Sequence, residues 1–186
     1  MKKSIPTWQM VGFICTGVIG TLLHFVLDWT GEHPVAGLFS AVNESIWEHT
    51  KLLFYPMVLF ALVEYFAWGK ACGRFWLAKL FGTLLGIVLI PVIYYTYTGI
   101  LGQSADWFNI GIFFIVAAAV YFAETKLFQK IASCVKISRF AWLLFCVLAV
   151  VYTVLTFYPP RIPLFQDPNT GTYGYFKVVD GSGAMP

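Results

Sequence analysis

The sequence predicts an all-α integral membrane protein, a helical bundle with five transmembrane helices, on the strength of three observations. Hydrophobic residues make up 59% of the 186 residues and charged residues only 11%, whereas a soluble domain carries roughly 25% charged residues. The mean hydropathy of +0.76 is high as well. Five apolar runs come close to or exceed the ~20 residues that a helix needs to cross a bilayer.

The five predicted spans define a single transmembrane domain over residues 1–180. Helices are expected rather than barrel strands, because every backbone N–H and C=O group in lipid must be bonded internally and the runs are long and continuous. Residues 181–186 are interpreted as a linker or a cloning remnant. The spans are predicted at about 8–27, 52–68, 77–100, 107–122 and 140–158.

The distribution of Lys and Arg predicts a cytoplasmic N-terminus and an extracytoplasmic C-terminus in a multi-pass protein of the plasma membrane. The first span follows two lysines but lacks a small-residue cleavage site, so it is interpreted as a retained signal anchor. With this orientation nine basic residues fall inside and three outside, as the positive-inside rule requires. The inner residues are Lys2, Lys3, Lys70, Arg74, Lys79, Lys126, Lys130, Lys136 and Arg139; the outer residues are Lys51, Arg161 and Lys177.

Titratable residues concentrate in one short stretch at the predicted outer face. All three histidines and four of the nine acids lie between residues 24 and 49: His24, Asp28, Glu32, His33, Glu44, Glu48 and His49. His24 and Asp28 are four residues apart, and so are Glu44 and Glu48. On a helix, the two residues of each pair would share a face. We expect five of these side chains to converge at the outer mouth of the bundle: His24, Asp28, Glu44, Glu48 and His49.

Imidazole and carboxylate ligands together suit a divalent metal ion, most of all zinc, with manganese or iron as alternatives. A metal ion can convert water into a nucleophile near neutral pH. In this interpretation Glu48 and Glu44 are the catalytic carboxylates and the protein hydrolyses a lipid or small amphiphile. No His-Glu-x-x-His zinc-protease motif is present, and the inverted form has Ser45 where its first His belongs.

Other interpretations of the same residues stay open. Ser45 and Glu48 have the spacing of a helix capping box, and the cluster is also compatible with a structural polar network or an ion path. A small transporter, a metal-binding or sensing protein, or a membrane partner subunit is the alternative function. Beyond the bilayer and a lipid or amphiphilic ligand no partner is predicted. Nucleic acid is not expected, because no basic patch is present, and the oligomeric state is left open.

Two further acids and the tail carry separate predictions. Glu64 is expected to pair with Lys70 or Arg74, with a part in a proton relay as the alternative. Glu124 is expected to reach the interface beside Lys126. The tail after Pro159 is expected to fold back over the outer face, since residues 167–171 (Asp-Pro-Asn-Thr-Gly) carry a turn signature. Tyr94, Tyr95 and Tyr97, with Trp107 and Asn109, are expected to line an outer pocket or to form an aromatic belt.

The string Asn-Glu-Ser-Ile-Trp-Glu-His-Thr-Lys at 43–51, with His24 and Asp28-Trp29 before it, resembles a family of small bacterial multi-pass membrane proteins of unknown function. The resemblance extends over most of the chain and includes a Pro-rich tail, here 160–174, that ends in Tyr-Gly. It implies no activity. It does imply that the outer cluster of acids and histidines is a shared feature of the family.

Overall fold

The computed structural model describes residues 4–130 and 136–175, except for the side chains of 136–139. Six α-helices lie in these ranges: α1 (Ile5–Trp29), α2 (Pro34–Gly37), α3 (Ile46–Ala67), α4 (Phe75–Leu101), α5 (Asp106–Lys130) and α6 (Lys136–Phe157). All except α2 contain a stretch long and apolar enough to cross a membrane. The prediction of an all-α protein with five membrane-spanning helices is therefore confirmed for the described part of the chain.

The observed helices extend past the predicted spans, because hydropathy detects the apolar centre of a helix and not its polar ends. The largest difference is in α3, which begins at Ile46 rather than near residue 52. The hydroxyl oxygen of Ser45 accepts a hydrogen bond from the backbone N–H of Glu48, 3.4 Å away, and caps the helix. The polar sequence before the apolar run is thus the first turn of α3.

The helices α1, α3, α4 and α5 form a ring, and α6 lies against the outside of this ring. In the ring α1 packs on α3 and α5, and α4 closes it by packing on both of these helices, while α6 packs mainly on α4. Close approach depends on small residues, as is common in membrane bundles. At Gly20 of α1, for instance, a Cβ atom would lie 2.6 Å from the backbone oxygen of Leu52.

The bundle has two polar ends separated by an apolar middle. We call the end where α1 finishes and α3 begins the histidine end, and the end where α3 finishes and α4 begins the lysine end. The tail folds over the histidine end, as predicted, where the ring of Phe165 packs on Trp47 with centroids 5.1 Å apart. The predicted turn forms there: the Asp167 carboxylate accepts hydrogen bonds from the backbone N–H groups of Asn169 (2.7 Å) and Thr170 (3.1 Å).

At the lysine end, the pairing predicted for Glu64 and the interfacial position predicted for Glu124 are both wrong. Neither acid reaches the surface, and both form ion pairs with Lys79, which the charge count had placed among the inner basic residues. Gln9 completes this inner cluster through a hydrogen bond from its amide to Glu64 (2.7 Å). All four side chains are at most 2% exposed, so this end of the bundle contains a buried charge network contributed by α1, α3, α4 and α5.

Candidate metal site

Three of the predicted ligands meet at the histidine end. His24 comes from the last two turns of α1, His49 from the first turn of α3, and Glu44 from the loop just before α3. The Nε2 atom of His24 lies 3.8 Å from Oε1 of Glu44, and Nε2 of His49 lies 3.5 Å from Oε2. One ligand atom from each of the three lies within 4.8 Å of the others.

The ring of His49 is oriented by the backbone of its own helix. Its Nδ1 atom lies 2.9 Å from the carbonyl oxygen of Ser45. A carbonyl oxygen only accepts hydrogen bonds, so Nδ1 carries the proton and Nε2, which faces Glu44, has a free lone pair. The Nδ1 atom of His24 is buried and has no hydrogen-bond partner in the described part of the chain.

The tail fixes the loop that carries Glu44. The carboxylate of Asp167 accepts a hydrogen bond from the backbone N–H of Glu44 (3.2 Å). The side-chain amide of Asn43 donates to the carbonyl oxygen of Gly174 (3.1 Å), and its side-chain oxygen accepts from the N–H of Ser45 (2.9 Å). The residues next to the candidate ligand are thus held from both sides.

Glu48 points away from the histidines, so the predicted helical face shared with Glu44 does not form. Glu44 precedes the helix, and Glu48 is 2% exposed. Its carboxylate pairs with Lys51 at 2.5 Å and accepts a hydrogen bond from the N–H of Val42 at 3.0 Å. The ammonium of Lys51 also donates to the Gly37 carbonyl and to the Thr156 hydroxyl, both at 2.9 Å. This buried pair ties the end of α2 and the loop after it to α3 and α6.

The remaining polar residues of the stretch lie outside the cluster. The Asp28 side chain is exposed and forms no ion pair or hydrogen bond with any described residue. The ring of His33 caps the short helix α2 by accepting a hydrogen bond from the N–H of Val35 (3.3 Å). Glu32 contributes its backbone oxygen, which accepts from the Tyr175 hydroxyl (2.6 Å). The structure therefore brings together His24, Glu44 and His49, and leaves Asp28 and Glu48 apart from them.

Two adjoining cavities open beside the three residues, with volumes of about 520 and 230 Å³. Both are lined by Glu44, His49, Asp106, Asn109 and Asn169, and the larger one also by His24. Asp106 and Asn169 were not predicted from the sequence. Asp106 directly precedes the predicted span 107–122. This position indicates a membrane boundary, but it does not indicate that Asp106 lies near His49. Asn109 and Tyr94 do line the smaller cavity, as one of the two predictions for them proposed.

The larger cavity has an apolar side between α1 and α5. Phe25, Ile110 and Phe114 line it and are 44%, 60% and 37% exposed. The cavity thus joins a polar wall of acids, amides and histidines to an exposed apolar surface of two helices long enough to cross a membrane.

The fold and this site define a multi-pass membrane protein with a His/Glu cluster at one end of its helical bundle. The chain belongs to a family of unknown function, DUF6512, whose sequence model matches residues 1–175. No curated protein and no solved structure matches the chain. The predicted membership of a family of unknown function is thus confirmed. That the family shares the sequence string at 43–51 and that it is bacterial stay predictions.

Proposed function

We propose that the protein binds a divalent metal ion, zinc above all, through His24, Glu44 and His49, and uses it to hydrolyse a lipid or small amphiphile. The observation that carries the proposal is the convergence of these three side chains at the wall of a cavity that reaches the lipid-facing surface. Neighbouring ligand atoms in a tetrahedral zinc site stand about 3.4 Å apart, given bonds of about 2.1 Å. The Nε2 atom of each histidine lies near that spacing from a different oxygen of Glu44, at 3.8 Å for His24 and 3.5 Å for His49. One ligand atom from each of the three residues lies within 4.8 Å of the others.

The number of ligands favours a catalytic site over a structural one. Structural zinc sites use four protein ligands, whereas catalytic sites use three and leave one position for water or substrate. Two histidines and one glutamate are a ligand set of the second kind. The side chains of His24, Glu44 and His49 are 34%, 44% and 28% exposed, which supports access from the cavity. A divalent ion held here would supply a Lewis acid that activates water near neutral pH.

The carboxylates available for proton transfer are Glu44 and Asp106, which both line the cavity. Glu48 has a different part in the proposal. Since it is buried against Lys51, we assign it as a positioning residue that holds the loop carrying Glu44.

The residues that line the two cavities favour a ligand without negative charge. It contains two acids and two histidines, and neither Lys nor Arg is among the described residues that line the two cavities. Phosphate recognition relies on Arg or Lys. We therefore favour an amphiphile with a neutral or cationic polar head, whose apolar part enters between α1 and α5.

The membrane orientation belongs to the same proposal. Lys51 and Lys79 are buried in helices and do not act as loop charges. Of the other basic residues whose backbone the structure describes, six lie at the lysine end and one, Arg161, lies at the histidine end. By the positive-inside rule, this supports a cytoplasmic lysine end and an extracytoplasmic histidine end in the plasma membrane.

Elemental analysis of the full chain, purified in detergent, tests the metal site directly. Near-stoichiometric metal is expected in the wild-type protein and in His33→Ala, which removes the one histidine outside the cluster. A His24→Ala/His49→Ala double variant should contain none. Equal metal content in all three, or no metal in any even after zinc, manganese or iron is added, would overturn the proposal. Metal binding without hydrolysis of neutral or cationic lipids would support the non-enzymatic alternative, a metal-binding or sensing protein.

A further inference from the structure

The inner cluster at the lysine end has a charge imbalance that the histidine site does not explain. Along α1, Gln9 lies 15 residues before His24, or about 22 Å at 1.5 Å per residue. We propose that Glu64, Lys79 and Glu124 form a proton-binding site, in which two carboxyl groups share one ammonium and hold one proton, carried by Glu124 at neutral pH. This proposal does not depend on the metal site.

The first step is the charge count. Two carboxylates face a single ammonium, and all three groups are at most 2% exposed. No other ion pair joins the cluster within residues 4–130 and 140–175. If both carboxylates were ionised, one negative charge would stay uncompensated in a dry interior, which is costly. Uptake of one proton from water converts one carboxylate to a neutral carboxyl and makes the cluster neutral.

Among the described residues, the other groups that face the cluster are uncharged. From α1, Gln9 donates to Glu64 at 2.7 Å and accepts from Lys79 at 3.4 Å. From α5, the ring of Tyr121 lies 5.3 Å from the ammonium nitrogen, and its hydroxyl is hydrogen-bonded to Thr16. These neighbours orient the charges but do not change their balance.

The contacts of the two acids assign the proton to Glu124. Glu64 accepts a hydrogen bond from Gln9 in addition to its ion pair with Lys79, and extra donors stabilise the ionised form. Among the described residues, the one polar contact of the Glu124 carboxylate is with the ammonium, through Oε2 at 2.6 Å. Its Oε1 is buried and has no hydrogen-bond partner among the described residues. A neutral carboxyl tolerates such an unpaired oxygen better than an anion does.

The same geometry argues against a metal ion as the missing positive charge. The ammonium of Lys79 already occupies the point between the two carboxylates, where a bridging cation would have to lie. A proton needs no additional space, since it is carried on one of the oxygens. The outer pair, Glu48 and Lys51, is balanced one to one and serves as an internal comparison.

Infrared spectroscopy of the detergent-purified full chain tests the proposal. A protonated carboxyl has a C=O stretching band separate from those of carboxylates and shifted by D₂O. We expect this band in the wild-type protein at neutral pH, with the intensity of one group per chain. Glu124→Gln should lose it. Glu64→Gln should lose it too, because the remaining acid is then balanced by Lys79.

The control is the double variant Glu48→Gln/Lys51→Met, which removes the balanced outer pair as a unit and should retain the band. Absence of the band from the wild-type protein would overturn the proposal. So would its persistence in Glu124→Gln or Glu64→Gln, or its loss in the control. Should one of the two single variants fail to fold, the other decides between the outcomes, since charge balance predicts the same loss for both.

Discussion

Nε2 of His49 lies 3.5 Å from Oε2 of Glu44, although one residue is in the first turn of α3 and the other in the loop before it. The opposite nitrogen of the same ring contacts the Ser45 carbonyl at 2.9 Å. The helix start thus fixes the tautomer of the imidazole, and the loop brings the carboxylate to it.

Replacing Glu44 by Gln should weaken metal binding by more than about 100-fold. Losing a group that only hydrogen-bonds to a metal ligand typically weakens binding by about 10- to 100-fold. The amide lacks the negative charge that a ligand of a divalent cation supplies. Isothermal titration calorimetry with the metal ion measures the change in affinity. Asp28→Asn, an exposed acid near the same end, serves as control and should bind like the wild type; equal weakening in both variants would contradict the assignment of Glu44.

Asp167→Ala should weaken metal binding by about 10- to 100-fold, the range typical of groups that orient a ligand. Its carboxylate holds both the tail turn and the backbone N–H of Glu44. Arg161→Gln, an exposed change in the same tail, should leave affinity unaltered. An unchanged affinity in Asp167→Ala would mean that the loop keeps its position without the tail.

Removing one member of the outer buried pair should destabilise the protein by about 3–5 kcal/mol, because Glu48→Gln leaves the ammonium of Lys51 buried without its counter-charge. The double variant Glu48→Gln/Lys51→Met should lose less stability than the single variant Glu48→Gln. Thermal unfolding in detergent compares them, and a double variant at least as unstable as the single one would argue against charge pairing as the cause.

Gly82→Ala should destabilise the lysine end by about 1–3 kcal/mol, the usual cost of overpacking. A Cβ atom at this position would overlap the carboxylate of Glu124. Gly99 belongs to the same helix, but a Cβ atom added there would meet no neighbouring group within 4 Å, so Gly99→Ala should be neutral or slightly stabilising. Melting temperatures of the two variants, measured side by side, distinguish local packing from a general effect of alanine in α4.

The inner cluster also predicts how stability changes with pH. If folded Glu124 keeps a proton that the unfolded chain releases, the folded state binds more protons. The free energy of unfolding then falls as pH rises above about 5, by up to about 1.4 kcal/mol per pH unit, until the folded carboxyl ionises. Glu124→Gln should abolish this slope. Thermal unfolding of both proteins at several pH values measures it, and identical slopes would contradict the prediction.

The sequence by itself determined the five membrane-spanning helices, the turn in the tail and the segment that carries the histidines. These features depend on local properties: the length and hydropathy of each run, the turn residues from Asp167 to Gly171, and the spacing of polar residues. Even the Ser45 cap was visible, because its partner lies three residues away.

Only the tertiary structure decided which polar groups meet. Lys79 was counted among the cytoplasmic charges, yet the rotation of α4 turns it inward between Glu64 and Glu124. Glu48 was predicted to join the histidines, but it turns to Lys51 because the helix begins at Ile46 and Glu44 stays outside it. Asp106 reaches the same cavity from a helix 57 residues after His49. Helix rotation and packing arise from the sum of many apolar contacts over the whole bundle, so no local pattern in the sequence reports them.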